Sequence, residues 1–272
     1  MAHVWAALAF RLAAAMACAS VAAAAVPEPQ PPETMAWRLT PKATYRATEN
    51  IVHVISYDLN RPLRAMLGKR VDPTTFLERK EVRLQLLSAD GRYQRTDVDV
   101  RRFGGTDAKS ADSRERTTHS TGVLSARGIE PAKVEALGDA GEGALAELPA
   151  GPIRRGQSWS FSRPILVDIE LGRGTMTFTD TLTDVQTRGG RTIALISVAG
   201  AGRVEAAPNM QAKGFRTASM SLQGKAEFDL TTGMPGLQHY TARTEWTTRV
   251  MLTNIGVIFD DTFDSEPWTV AP

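Results

Sequence analysis

Thiols, paired histidines and an excess of one charge are scarce in this chain, and each scarcity removes a class of chemistry. A single cysteine, Cys18, occurs in 272 residues, which excludes an intrachain disulfide framework and a thiolate metal site. Lys and Arg total 32 against 30 Asp and Glu, a net charge of +2, so no electrostatic case exists for nucleic-acid binding. Of four histidines, His3 lies near the start, and His53, His119 and His239 are too far apart in sequence to form a helical metal pair. Aromatics make up only 7%. What remains is a hydrophobic content of 42%, enough to bury a core in one large β domain or two small ones.

The first residues differ from the rest. Leu12 to Ala25 is an Ala-rich apolar run, preceded by Arg11 and followed by Pro27, Pro31 and Pro32. That layout is a secretory signal peptide, with Ala23, Ala24 and Ala25 as the small residues before a cut at Val26. The competing assignment, a membrane anchor, is disfavoured because Arg11 splits a stretch already short of the ~20 apolar residues that span a bilayer. Cys18 sits inside this segment; as a lipid-modified residue it would be flanked by the small Ala17, Ala19 and Ser20, although Ala15 replaces the usual Leu. The expectation is an exported, periplasmic or extracellular protein with no transmembrane segment after cleavage, and with lipid anchoring through Cys18 as the minor alternative.

Beyond residue 25 the pattern is strand, turn, strand. Ala43 to Thr48, Ile51 to Tyr57, Val82 to Leu87 and Tyr93 to Val100 are rich in β-branched or aromatic residues, and Asp90-Gly91 is a hairpin signal. Trp159 and Phe161 alternate, Met176 to Val185 runs into Gly189-Gly190, and Thr192 to Val198 returns. A long hairpin joins Ala218 to Leu230 with Leu237 to Leu252. Helical signal is confined to a start at Asp72-Pro73 and to Ala132 to Leu148, where Gly138, Gly141 and Gly143 oppose a continuous helix. The predicted fold is therefore mainly β, built of antiparallel curved sheets, half-barrel or sandwich-like, in two similar halves with one or two short helices. The division reads as signal peptide 1–25, Pro-rich tether 26–36, first β half 37–102, flexible polar loop 103–121 and second β half 122–272.

Three stretches carry a resemblance. They are Gly122-Val123-Leu124-Ser125-Ala126-Arg127-Gly128, then Leu148-Pro149-Ala150-Gly151-Pro152-Ile153 leading into Gly156-Gln157-Ser158-Trp159, and Gly224-Lys225-Ala226-Glu227-Phe228-Asp229 followed by Gly233. In these the chain resembles a group of uncharacterised bacterial exported and cell-envelope β-domain proteins, several of them lipoproteins. A more distant fold analogy links such proteins to the half barrels of periplasmic lipoprotein carriers and mycobacterial lipid-binding lipoproteins. The resemblance implies architecture, not an activity.

Individual motifs do not add chemistry. Gly156-Gln157-Ser158-Trp159-Ser160 lacks the closing glycine and the strand-to-helix setting of a nucleophile elbow. His53 and His239 read as ordinary strand residues and His119 as a solvent-exposed one. Asp260, Asp261, Asp264 and Glu266 do not match a calcium loop and read as a solvated edge beside Phe259 and Phe263. Gly200-Ala201-Gly202 lacks the third glycine of a dinucleotide fingerprint and marks a bulge or bend. Arg92, Arg95, Arg101, Arg102, Arg114 and Arg116 are an anion-binding set largely neutralised by Asp97, Asp99, Asp107, Asp112 and Glu115. No residue is assigned as catalytic, cofactor-binding or metal-ligating, no cofactor is expected, and ligand-binding residues are left open. The functional expectation is a non-enzymatic envelope protein whose curved sheet binds a lipid or other apolar ligand; the alternative is an interaction or scaffold module for another envelope protein.

Overall fold

The computed structural model describes residues 31–38, 40–103, 113–129, 147–168, 172–250 and 253–271. The chain divides into Met1–Pro31 and Pro32–Pro272, and the architecture below is that of the second unit. The expected signal peptide, its cut site and Cys18 lie outside the described residues.

Two consecutive meanders build the sheet. The first contains β1 (Thr44–Asp58), β2 (Thr74–Leu86), β3 (Arg92–Phe103), β4 (Ser113–Ser125) and the short β5 (Gly128–Ile129). The second contains β6 (Ser158–Asp168), β7 (Gly172–Arg188), β8 (Arg191–Ala206), β9 (Thr217–Asp229), β10 (Met234–Val250) and β11 (Thr253–Ser265). Each meander is antiparallel, and β1 pairs with β11, from Glu49 opposite Ser265 to Asp58 opposite Gly256. The result is one curved, unclosed sheet in the order β5-β4-β3-β2-β1-β11-β10-β9-β8-β7-β6, with the two-residue β12 (Thr269–Val270) alongside β1. The predicted mainly β class, its curvature and the hairpins around Gly91, Gly189-Gly190 and Gly233 are therefore present.

Alternation dictates which side of each strand faces the core. Along β9 the buried residues are Ala218, Met220, Leu222, Ala226 and Phe228, while Ser219, Ser221, Gln223 and Lys225 are exposed. That period of two is the signature of a sheet with one dry face. On the wet side β6 and β7 are tied by a hydroxyl ladder, Ser158 to Thr181 at 2.8 Å, Ser160 to Thr179 at 3.0 Å and Ser162 to Thr177 at 2.8 Å. On the dry side Phe178, Met176, Leu182, Tyr240 and Trp246 are fully buried, each contributing roughly 1.5–3 kcal/mol of burial.

Small inner-face residues make the curvature possible. A Cβ on Gly224 would lie 2.2 Å from the His239 carbonyl oxygen and 2.6 Å from the Tyr240 ring, and one on Gly200 would lie 2.9 Å from the Met176 sulfur. Large side chains on neighbouring strands thus lie across glycine. Gly200 and Gly202 sit in regular pairing within β8, so the bulge expected there is absent. The bulges occur instead at Leu166/Asp168, Leu182/Asp184 and Pro235/Gln238.

Several boundaries differ from expectation. The helix proposed after Asp72-Pro73 is strand β2, because Glu78, Lys80, Val82, Leu84 and Leu86 bury every second side chain. The helix α1 precedes it (Arg61–Leu67), capped by Asn60, whose side-chain oxygen accepts from the Leu63 amide at 3.0 Å. A second short helix, α2 (Pro208–Ala212), also begins on proline. Residues 113–121, read as part of a flexible loop, belong to β4, whose polar residues pair along β3. Residues 104–112, the rest of that loop, and 132–146 of the other helix candidate lie outside the described residues. The Pro-rich tether ends before residue 33, since Glu33 bridges Ile153 in both backbone directions and Met35 is buried. Trp37 then meets Phe228 and Trp268 edge-on at 6.0 and 6.5 Å, plugging one end of the sheet.

The connection from β5 to β6 is anchored by Glu147. Its backbone bridges Gly128, its carbonyl accepts from the Trp159 indole at 2.8 Å, and its carboxylate meets Arg127 at 2.8 Å and the buried Arg163 at 3.4 Å. Burial pulls the Arg163 guanidinium below its ordinary pKa and the Glu147 carboxylate opposes this. Glu147→Ala should lower stability by about 1–3 kcal/mol, read as a reduced denaturant midpoint with an unchanged m-value; a midpoint equal to that of the parent would show that Glu147 does not hold this seam.

Candidate functional site

The inner face has two chemical halves. Over β6 to β10 it is apolar and sealed, formed by Phe161, Met176, Phe178, Val198, Leu222 and Trp246 among others. Over β1 to β3 it also carries buried ionic groups, Glu49, Glu78, Lys80 and Asp99, beside an apolar cluster of Tyr45, Leu84, Leu86 and Tyr93. Cross-strand register makes these side chains neighbours: Glu49 lies opposite Lys80, Lys80 opposite Asp99, and Ile51 opposite Glu78. Ionic groups removed from water are costly unless paired, so their concentration on one part of the inner face marks it as a candidate site.

His53 is at its centre. Register places it opposite Phe76 on β2 and Asp261 on β11. Its Nδ1 is 2.8 Å from Asp261 Oδ1, and because a carboxylate oxygen only accepts, Nδ1 carries the proton in that bond. Its Nε2 faces Glu78 Oε2 at 3.4 Å, and its ring stacks on Phe76 with centroids 4.3 Å apart and planes 15° apart. The imidazole is thus fixed by a carboxylate on either side and an aromatic plane. The His53 side chain keeps 12% of its surface exposed and Asp261 keeps 24%. Around them Ile55, Tyr57, Phe76, Val257 and Phe259 are also only half-buried. The inner face is closed beneath β6 to β10 and half-open where β1 meets β11.

A different group lies in the sealed half. Asp180 is fully buried on β7 between Trp159 and Val198 in the strand register, and neither of its carboxyl oxygens has a hydrogen-bond partner among the described residues. Desolvation pushes its pKa up to about 8. Burial, then the carboxylates of Asp180 and Glu49, holds the Tyr240 phenol well above its ordinary value, and its hydroxyl donates to Gln238 Oε1 at 2.9 Å.

His53, read from sequence as an ordinary strand residue, lies on β1 and is held there by Asp261 and Glu78. His119 is exposed, as expected, and bonded to Thr96 at 3.1 Å; His239, read as an ordinary strand residue, lies on β10 with its ring exposed and bonded to Asp264 at 2.7 Å. The acidic run is not an edge: β11 is interior to the sheet, and alternation sends Asp261 inward and Asp264 outward. Within the arginine set, Arg92 pairs with Asp90 at 3.0 Å and Arg95 with Asp97 at 2.7 Å, and Arg116 is exposed; the side chains of Arg101, Arg102 and Arg114 lie outside the described residues. Ser158 forms part of the hydroxyl ladder and not a nucleophile elbow. Among the described residues no group of three or more His, Cys, Asp or Glu side chains is placed to hold a metal ion, and no helix is long and apolar enough to cross a membrane.

Two depressions lie on the outer face. The larger, about 570 Å³, crosses β7 to β11 and reaches β1, with Leu195, Ser197, Lys225, Leu237 and His239 in its lining. The smaller, about 410 Å³, surrounds Gln223, Thr241, Arg243 and Asp260, where Arg243 and Asp260 pair at 3.1 Å.

No family model and no curated protein matches the chain, so the envelope-family resemblance rests on the three sequence stretches alone. Among solved structures, an outer membrane channel from Pseudomonas putida aligns at 9% identity and a TM-score of 0.22, covering 88% of this chain and 100% of that one. The enduracididine biosynthesis enzyme MppR complexed with pyruvate aligns at 12% identity and a TM-score of 0.11, covering 85% and 91%. Likenesses this slight carry no argument about function, and the site has to be read from its own side chains.

Proposed function

We propose that the protein is exported to the cell envelope and binds an amphipathic molecule, a lipid or similar apolar ligand, along the half-open strip of its inner face without catalysing a reaction on it. The observation that supports this reading is the contrast within one face. Apolar side chains at 0% exposure line β7 to β10, whereas Ile55, Phe76, Val257 and Phe259 beside His53 and Asp261 remain accessible. An apolar strip ending in a few oriented polar groups is the usual composition of a small-molecule site.

The test is mass spectrometry of the protein purified without detergent from its native compartment, intact and after organic extraction. A stoichiometric lipid is expected, and Phe259→Glu should reduce its occupancy at least about tenfold by placing a charge on the apolar strip. Protein that stays empty after incubation with envelope lipids would overturn the proposal. One observation favours a second reading, a scaffold that engages another envelope protein: the inner face beneath β6 to β10 is sealed, as in a sheet whose core serves only stability. Recovery of a defined protein partner together with an empty inner face would favour that reading.

A further inference from the structure

The larger outer depression is independent of the inner face, and its charges are unevenly satisfied. Arg188 pairs with Glu227 at 2.6 Å and His239 with Asp264 at 2.7 Å. After these pairs, one cation and one anion of the lining remain: Lys225 on β9 and Glu266 just past β11 have no side-chain partner among the described residues. Between and beside them lie apolar side chains. Leu195 is half-buried, and Leu237 is 53% exposed, on the outer face with His239 by the alternation of β10 and beside the irregular pairing between Pro235 and Gln238.

We infer that this depression is a binding site for a short zwitterionic peptide with apolar side chains. The uncompensated charges ask for one anion and one cation on the same ligand, the carboxylate terminus at Lys225 and the ammonium terminus near Glu266. The spacing selects the length. Lys225 lies two strands from β11, pairing with His239, which pairs with Asp264; two inter-strand steps cover about 10 Å, and Glu266 lies about 7 Å further along the strand, so the diagonal span is roughly 12 Å. An extended peptide advances about 3.4 Å per residue, so three or four residues bridge the span. The volume of about 570 Å³ is in the range of sites that hold molecules of this size. Leu195 and Leu237 supply the surface for an apolar side chain, and Ser197 and Asn50, both exposed in the lining, supply donors and acceptors for the peptide groups.

The experiment titrates the full-length protein with the tripeptide alanyl-leucyl-alanine and follows backbone amide shifts by NMR. The free peptide should shift Ser197, Lys225 and His239, and amidating its carboxylate or acetylating its amine should each weaken binding about fivefold, as expected for exposed charge pairs. In Lys225→Gln the amidated and free peptides should bind alike, and in Glu266→Gln the acetylated and free peptides should bind alike. Both positions are exposed, so the variants are expected to fold, which their unchanged spectra elsewhere would verify. Absence of shifts at millimolar peptide, shifts confined to other faces, or equal affinity for free and doubly blocked peptide would each overturn the inference. None of these outcomes depends on whether the inner face carries a lipid.

Discussion

Asp180→Asn should melt at a higher temperature than the parent protein at pH 8, with the difference shrinking towards zero at pH 4. In the parent, a carboxyl with an ordinary value of 3.8 is held at about 8 in the folded state by burial alone. The folded chain therefore binds this proton more tightly than the unfolded chain. The associated stability is fully present below about pH 4, declines as the pH rises, and is lost once it passes about 8. At about 1.4 kcal/mol per unit, a shift of roughly four units sets an upper bound near 6 kcal/mol, large against a typical net stability of about 5–15 kcal/mol. Relaxation around Asp180 will reduce the observed figure. Asparagine cannot ionise, so its stability profile should lack this slope while retaining slopes from other carboxyls. The measurement is chemical unfolding of both proteins at several pH values, taken as a difference; parallel profiles would show that Asp180 does not ionise under strain. The groups facing it are Trp159 and Val198 on the adjacent strands, and the charge of Asp180 is felt at Tyr240.

Phe178→Ala is expected to cost about 3–5 kcal/mol. Phe178 is fully buried, stacks on Phe161 at 5.2 Å with planes 14° apart, and lies opposite Gly200. Glycine has no side chain to move into the vacated volume, so the cavity persists and the cost should fall at the high end of the range. Leu77→Ala is the control. Leu77 is also a large apolar residue in a strand but is 52% exposed, and its loss should change stability by less than about 0.5 kcal/mol. Equal midpoints for the two variants in urea would mean that the wall beneath β6 to β8 is not the cohesive core described above.

Both effects concern strands whose identity is visible in sequence. Trp159 and Phe161, or Met220, Leu222, Ala226 and Phe228, repeat with period two against polar neighbours, so the second meander announces itself. Three elements were less legible for specific physical reasons. In β4 the residues Ser113 to Ser120 are polar on both faces, leaving no alternation for the eye to detect. β2 begins next to Asp72-Pro73, a sound helix start in isolation, but Val82, Leu84 and Leu86 gain more from the dry face than the local signal offers. β11 carries Asp260, Asp261 and Asp264, and acidic residues close together suggest a solvated segment until pairing with both β1 and β10 assigns them to opposite faces. The candidate site shares this limit: His53 and Asp261 are 208 residues apart, and no local pattern reports that they meet. The irregular pairing beside Leu237 was likewise hidden in a turn sequence rich in glycine and proline.

The pairing of β1 with β11 also imposes an order in time. Apart from the two-residue pairing of β12 with β1, every other ladder among the described strands joins strands that follow each other in the chain, so those hairpins can form as soon as their residues are available. β1 must wait for a partner more than 190 residues away, and contacts of such long range are slow to form because a large loop has to close first. Until then β1 offers one unpaired flank, and Val52, Val54 and Ile55 along it are a template for pairing with another chain. A nascent molecule is consequently most prone to self-association just before its last long strand arrives, and the same event that removes this hazard brings Asp261 to His53.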